Sequence, residues 1–143
     1  MTERGTLRLA AVDVGAESGR VLVGTFDGGR LAIEDVHRFP NVPVTVAGTM
    51  HWDALRLFGD ITAGLRKAGA AGDVASIGID TWGVDFGLLD ERGRLLANPV
   101  HYRDARTDGV MEQVVGRLGR SRIYDVTGIQ FLGFNTLYQL VAA

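Results

Sequence analysis

The stretch from Ser76 to Asp90, Ser-Ile-Gly-Ile-Asp-Thr-Trp-Gly-Val-Asp-Phe-Gly-Leu-Leu-Asp, narrows the folds open to this chain more than any other. Val74, Ala75, Ile77 and Ile79 form a short apolar run behind a Gly-rich turn, the pattern of a strand covered on both faces. Asp80, Thr81, Trp82, Gly83 and Asp85 follow at once. Ligands of open α/β sheets sit in the crevice beyond the carboxyl ends of strands, so a polar, aromatic and glycine cluster there is a candidate site. The competing reading is a strand closed by a tight turn with Trp82 in the core, because Asp and Gly are ordinary turn residues.

What precedes this stretch says which sheet the strand joins. Leu7 to Val14 reads as a central strand and Val21 to Phe26 as a second one. Asp27-Gly28-Gly29 is a hairpin signal, and a third strand runs from Leu31 to Phe39. Pro40 and Pro43 then mark a loop through Met50. Asp53 can cap a helix whose Leu55, Phe58, Ile61, Leu65 and Ala68 share one face, ended by Gly69 and Gly72. Helix and strand together form the crossover that sets Val74–Ile79 parallel to an earlier strand. Phe86 to Asp90 and Arg94 to Ala97, joined at Glu91-Arg-Gly93, read as a small hairpin. After Pro99 the pattern is helical. Val110, Met111, Val114, Val115 and Leu118 share one side, Ser121 can cap a short helix ended by Gly128, and Asn135 can cap a third. With neither a repeat nor a linker in view, residues 1–143 read as a single incomplete domain, β-rich with one crossover helix over about 7–97 and helical over 98–143. The third helix runs into the C-terminus without a capping glycine, as in a chain cut inside an element.

Composition removes several functions. A formal net charge of -2 with interspersed signs leaves no basic patch for nucleic acid or acidic membranes. The chain contains no Cys, which removes disulfides, thiolate nucleophiles and Cys-based zinc sites. His37, His51 and His101 lack ligand-like spacing. Met-Thr-Glu-Arg-Gly-Thr has no signal-peptide apolar core, and no apolar run approaches the ~20 residues of a membrane span. A cytoplasmic protein handling a small molecule is expected.

A second chemical motif, Asp13-x-Gly15-x-x-Ser18-x-Arg20, lies between two strands. That context excludes a P-loop and a dinucleotide fingerprint, both of which open a helix. It suits a hairpin loop in which Gly15 lets backbone N–H groups approach phosphate oxygens and Ser18 adds a hydroxyl donor. Asp13 can hold a water of a phosphate-bound Mg2+. The plainer reading is a hairpin with an incidental Ser. Among His101, Tyr102, Arg103, Asp104 and Arg106, a general-base role for His101 is conceivable, against that of a structural His. Asp104 reads as an N-terminal helix carboxylate with Arg106 as its partner.

The Asp13 loop, the order of three strands, helix and strand, and the Asp80 cluster resemble the N-terminal domain of the FGGY carbohydrate kinases, which have the ribonuclease-H-like α/β fold shared with actin, Hsp70 and hexokinase. Asp80-Thr-Trp-Gly-Val-Asp85 and Gly128-Ile-Gln-Phe-Leu-x-Phe-Asn-Thr-Leu-Tyr-Gln-Leu140 resemble, more narrowly, members acting on L-rhamnulose. Together with His37-Arg-Phe39, Trp52-Asp53 and the Pro99–Thr107 run, the matching segments cover almost the whole chain. The resemblance implies ATP-dependent phosphorylation of the 1-hydroxyl of L-rhamnulose. It places Asp13, Val14, Gly15, Ala16, Glu17, Ser18 and Arg20 at the ATP phosphates, with Asp13 reaching Mg2+ through water. Gly83 is implied as the principal sugar contact, since a residue without Cβ admits a hydroxyl close to its backbone. Trp82 offers a flat apolar face, and Asp80 and Asp85 can accept hydroxyl hydrogen bonds. Glu17 departs from the small hydroxyl residue of the family and sets an extra carboxylate near phosphates. Phe134 and Asn135 stand about where other members bring a substrate-contacting aromatic.

In the family the catalytic base is an Asp beyond residue 143, and a second domain supplies most adenine contacts. The resemblance therefore implies a chain that holds part of a cleft and does not turn over alone. The alternatives are another ketose or polyol kinase of the family, for L-fuculose or xylulose, and a non-catalytic actin-like nucleotide-binding module.

Overall fold

A computed structural model describes residues 5–143, so the reading made of the first four residues, that they begin no signal peptide, lies outside it. The chain forms two compact units, one holding the residues up to Val42 together with Asp53–Trp82, the other Pro43–Trp52 with Gly83–Ala143. It passes between them after Val42, after Trp52 and after Trp82.

The first unit is a four-stranded sheet carrying one helix. β1 (Leu7–Val14), β2 (Ser18–Phe26) and β3 (Leu31–Pro40) run antiparallel in succession, and β6 (Ser76–Thr81) lies parallel to β1, giving the order β3-β2-β1-β6. Asp27 makes the β2–β3 turn as its residue type suggests, its Oδ1 accepting from the Gly29 and Arg30 N–H groups. Those two bonds hold the carboxyl below its ordinary pKa. Alternation along β1 and β2 puts Ala10, Val12, Val14, Val21 and Val23 on one buried face.

α1 (Ala54–Ala70) covers that face, and Asp53 caps it by accepting from the Arg56 N–H. The face it buries differs from the expected one. Leu57, Ile61 and Leu65 pack against Val12, Val14 and Val21, with Gly64 and Ala68 buried, whereas Leu55 and Phe58 are 75% and 72% exposed. The stripe is rotated because the helix touches the sheet at Gly64, where a Cβ would stand 2.4 Å from Val21 Cγ2. Glycine gives no apolar signal, so the sequence pattern passes over the point of closest approach. The helix also runs through Gly69 and ends at Ala71, before Gly72 at φ 135°.

β6 begins two residues later than the apolar run suggests and is exposed at every position, with Ile77 at 56% and Ile79 at 63%. A strand covered on both faces is thus corrected to an exposed edge strand. β1 occupies one of its edges, and α1 lies over β2 and β3 instead.

The second unit starts where an irregular loop is expected. Within it stands a two-stranded ribbon, β4 (Val44–Val46) and β5 (Thr49–His51), turned at Ala47 and Gly48, both at positive φ. That pair of left-handed residues is the turn that a two-residue hairpin demands. Residues 50–52 then run beside 98–101, with Trp52 N–H donating to the Pro99 carbonyl and His101 N–H to that of Met50. Leu89 and Leu95 form a single bridge around the Asp90–Arg94 turn, where the small hairpin is expected.

The helical part follows. Asp104 caps a 3-10 turn (Ala105–Thr107) through the Arg106 N–H, and α2 (Val110–Leu118), α3 (Arg120–Thr127) and α4 (Thr136–Val141) come after it. Val110, Val114, Ile123 and Tyr138 form their common core. α3 starts behind Gly119, so Ser121 lies inside the helix, while Gly128 ends it in the left-handed conformation. Asn135 stands at the N-terminus of α4 but its side chain turns back to the Gln130 carbonyl. No helix of the described residues is long and apolar enough to cross a membrane.

Candidate functional site

The candidate side chains gather at one place in the first unit and one in the second. In the first, the β1–β2 connection closes on itself: Gly15 N–H donates to the Ser18 carbonyl at 3.0 Å, and a Cβ on Gly15 would lie 2.8 Å from that oxygen. Only glycine fits so tight a turn without a shift. Asn41, 3% exposed, holds the loop at two points, its Nδ2 donating to the Gly15 carbonyl at 2.8 Å and its backbone N–H to that of Glu17 at 2.9 Å. Asp13 Oδ2 accepts from Arg20 Nε at 2.9 Å and is 2.8 Å from a terminal nitrogen of the same guanidinium.

A cavity of about 420 Å³ opens here, lined by Asp13, Gly15, Ala16, Glu17, Ser18, Arg20 and Arg38. Arg38 is the residue that sequence reasoning missed. It stands opposite Arg20 in the β2–β3 register and pairs with Asp35 at 2.6 Å. Two guanidiniums beside a loop of backbone N–H groups make a concavity suited to a polyanion. Glu17 is exposed, and its backbone carbonyl is tied to Asn41. Asp80 is the register neighbour of Asp13 across the parallel β1–β6 pair. Trp82 ends this unit half-buried, packed against Val12, Val14 and Val21.

The second unit carries Gly83, Asp85 and Phe134. Trp52, 2% exposed, stacks on His101 with centroids 3.9 Å apart, His101 stacks on Tyr102 at 4.6 Å, and Tyr102 meets Phe134 at 5.4 Å. Asp85 accepts from Trp52 Nε1 on one oxygen and from Gln139 Nε2 on the other, the latter at 2.8 Å. Gly83 and Val84 line an apolar cavity of about 500 Å³ with Ile129, Phe131, Leu137 and Leu140. Tyr102, Arg103, Asp108, Glu112 and Phe134 line a polar one of about 320 Å³. Aromatic faces beside carboxylates and a guanidinium are the chemistry that receives a sugar's C–H face and its hydroxyls.

His101 is enclosed by its surroundings. It is 2% exposed and its Nδ1 accepts from the Arg103 N–H at 2.9 Å. Burial holds its pKa below the ordinary value; Asp85 and Asp104 oppose that, while Arg103 adds to it. A depressed pKa in the folded state means the unfolded chain binds the proton more readily. The associated stability is complete above the unfolded pKa of ~6.5 and is lost as pH falls through it toward the folded value. The melting temperature should therefore drop as pH falls below about 6.5, and His101→Asn, whose Oδ1 can replace Nδ1 as acceptor, should flatten that drop. An equally steep pH profile in the variant would acquit His101. The backbone N–H and guanidinium bonds that lower the Asp90 carboxyl act in a more acidic range.

The chain belongs to the FGGY family of carbohydrate kinases: the model of the family's N-terminal domain matches residues 9–141. Within that family its sequence is similar to rhamnulokinases. It is 50% identical to the one from Mannheimia succiniciproducens over 95% of this chain and 29% of that protein, and 48% identical to the one from Oceanobacillus iheyensis over 92% and 28%. The chain thus spans under a third of the length of these relatives. Among solved structures it superposes on gluconate kinase from Lactobacillus acidophilus with a TM-score of 0.79 at 17% identity, covering 96% of this chain and 28% of that one. The ligand-bound xylulose kinase of the same organism gives 0.76 at 18%, over 94% and 28%. These likenesses establish the N-terminal kinase fold expected from the three-strand, helix and strand order.

Proposed function

We infer that this chain is an N-terminal piece, an incomplete domain, of a cytoplasmic kinase that transfers the γ-phosphoryl group of ATP to the 1-hydroxyl of L-rhamnulose, giving L-rhamnulose 1-phosphate in rhamnose catabolism. The observation that carries the reading is the identity of about half of all positions to rhamnulokinases across nearly the whole chain. Residues 7–97 and 98–143 serve as the β-rich and helical parts of this domain. The base lies beyond residue 143, in the part of the relatives that the chain does not span, and a second domain supplies most of the adenine contacts.

Phosphoryl transfer is mostly positioning plus neutralisation of phosphate charge. On this reading Ala16, Glu17 and Ser18 line the phosphate site beside Val14, Gly15 shapes the turn with its own N–H given to the Ser18 carbonyl, and Arg20 and Arg38 supply positive charge. Mg2+ fits the donors present. A phosphate-bound magnesium ion keeps several waters and needs only one or two carboxylates. Among the described residues no group of three or more His, Cys, Asp or Glu side chains could grip a metal. On this reading Asp13 acts through a water, and its pairing with Arg20 at Oδ2 leaves Oδ1 for that role. When bound, the ion spreads the charge that develops on the transferred group. Gly83 is assigned to the sugar as its principal contact, Trp82 and Asp80 as further contacts, and Asp85 as a residue that holds the loop after Gly83 through Trp52 and Gln139.

The test is a coupled kinase assay with L-rhamnulose on this chain and on a chimaera joining residues 1–143 to the remainder of the M. succiniciproducens rhamnulokinase. The chimaera should turn over and the chain alone should not. Turnover by the short chain would overturn the placement of the base outside it. A chimaera that phosphorylates L-fuculose or xylulose but not L-rhamnulose would overturn the substrate.

A further inference from the structure

Gln139 is fully buried, and its side chain is saturated with partners. Nε2 donates to the Val84 carbonyl at 3.2 Å, to Asp85 Oδ1 at 2.8 Å and to the Phe134 carbonyl at 3.0 Å. An amide has two hydrogens for those three acceptors, so one is shared. Oε1 accepts from Arg106 Nη2 at 2.8 Å, which fixes which end of the amide faces the loops. Thr136, one helical turn earlier on α4, donates its hydroxyl to the same Val84 carbonyl at 2.6 Å. The other oxygen of Asp85 is taken by the Trp52 indole.

We propose that Gln139, assisted by Thr136, is a positioning residue that sets the distance between Gly83 and Phe134 and thereby the fit of the sugar. The inference rests on the sugar-kinase reading above. Gly83 immediately precedes Val84, and Phe134 belongs to a different loop; one amide group ties the backbones of both. Asp85 acts here as a strut, since the oxygens that a hydroxyl would seek already accept N–H groups from Trp52 and Gln139. A buried amide making four such bonds is costly to remove and orients the groups it holds. Displacement of such supports by about an ångström is enough to spoil a reacting geometry.

The experiment uses the same chimaera with steady-state kinetics for L-rhamnulose and ATP. Gln139→Leu keeps the side chain's bulk and loses every bond; it should raise KM for the sugar about tenfold, change kcat less, and leave KM for ATP where it was. Thr136→Val, close in shape, removes one bond and should raise KM for the sugar about threefold. Val23→Ala, a buried substitution in β2 of the first unit, should lower the melting temperature without moving either KM. If Gln139→Leu does not fold, Thr136→Val decides. An unchanged sugar KM in the folded variants, or sugar and ATP KM rising together, would overturn the inference while leaving the kinase reading intact. A wild-type chimaera inert on every sugar would sink both.

Discussion

Gly83→Ala in the chimaera is expected to lower kcat/KM for L-rhamnulose by about two orders of magnitude while leaving the melting temperature unchanged or slightly raised. The separation of the two effects follows from the surroundings of Gly83. Nothing lies within 4 Å of where its Cβ would be, and its φ is outside the left-handed region. The chain itself therefore has no reason for glycine there. Ala should even remove some freedom from the unfolded state, a gain of about 0.4–1 kcal/mol. The reason lies with what approaches the backbone from outside, and a methyl group there would hold off a sugar hydroxyl. Retained activity would remove Gly83 from the sugar site, and a lowered melting temperature would mean it has a packing role that its open surroundings do not suggest.

Trp52→Ala should do the reverse and damage folding first. Trp52 is among the largest fully buried side chains, stacked on His101 and bonded through its indole to Asp85. Truncating such a residue costs about 3–5 kcal/mol, against a total stability of ~5–15 kcal/mol. The loss combines a cavity with a carboxylate oxygen deprived of its donor. A fall in melting temperature of roughly 15 °C is expected. Trp52→Phe keeps a ring against His101 and loses only the N–H, so its fall should be less than half as large. Equal falls for both would assign the stability to the hydrogen bond and not to the stack.

Much of the first unit can be read from its residues because its signals are local. Alternation marks β1 and β2, Asp27 makes its own turn, and Asp53 caps α1. Errors enter where geometry depends on partners. Gly64 has no side chain to enter a hydrophobic count, yet it sets the phase of α1. Ile77 and Ile79 look like core because an apolar run carries no information on whether anything covers it. Arg38 is hidden for a different reason. Counting back from the Phe26–Leu31 end would pair Arg20 with His37, but the irregularity between Val21 and Leu22 moves the register by one and brings Arg38 opposite Arg20.

The candidate site divides in the same way. The Asp13–Arg20 loop is legible as a hairpin near an anion because Gly15, Ser18 and the flanking strands are contiguous. The second place is assembled from Trp52, Asp85, Tyr102, Phe134 and Gln139, which are far apart in the chain. Gln139 in isolation is a polar residue on a short apolar helix; only the carbonyls converging on it give it a role. Asp85, read as a hydroxyl acceptor, takes Trp52 and Gln139 as partners that no short-range pattern could supply.

The three passages of the chain between its units have a consequence for synthesis. Trp52 leaves the ribosome long before His101 and Asp85's second partner, Gln139, exist. At roughly 5–20 residues per second the interval is several seconds. Throughout it the nascent protein displays an indole and the ribbon of β4 and β5 with nothing to rest on, while the neighbouring strands are already pairing. Faster elongation after Trp82 would shorten the time in which that early segment can be captured by a neighbour.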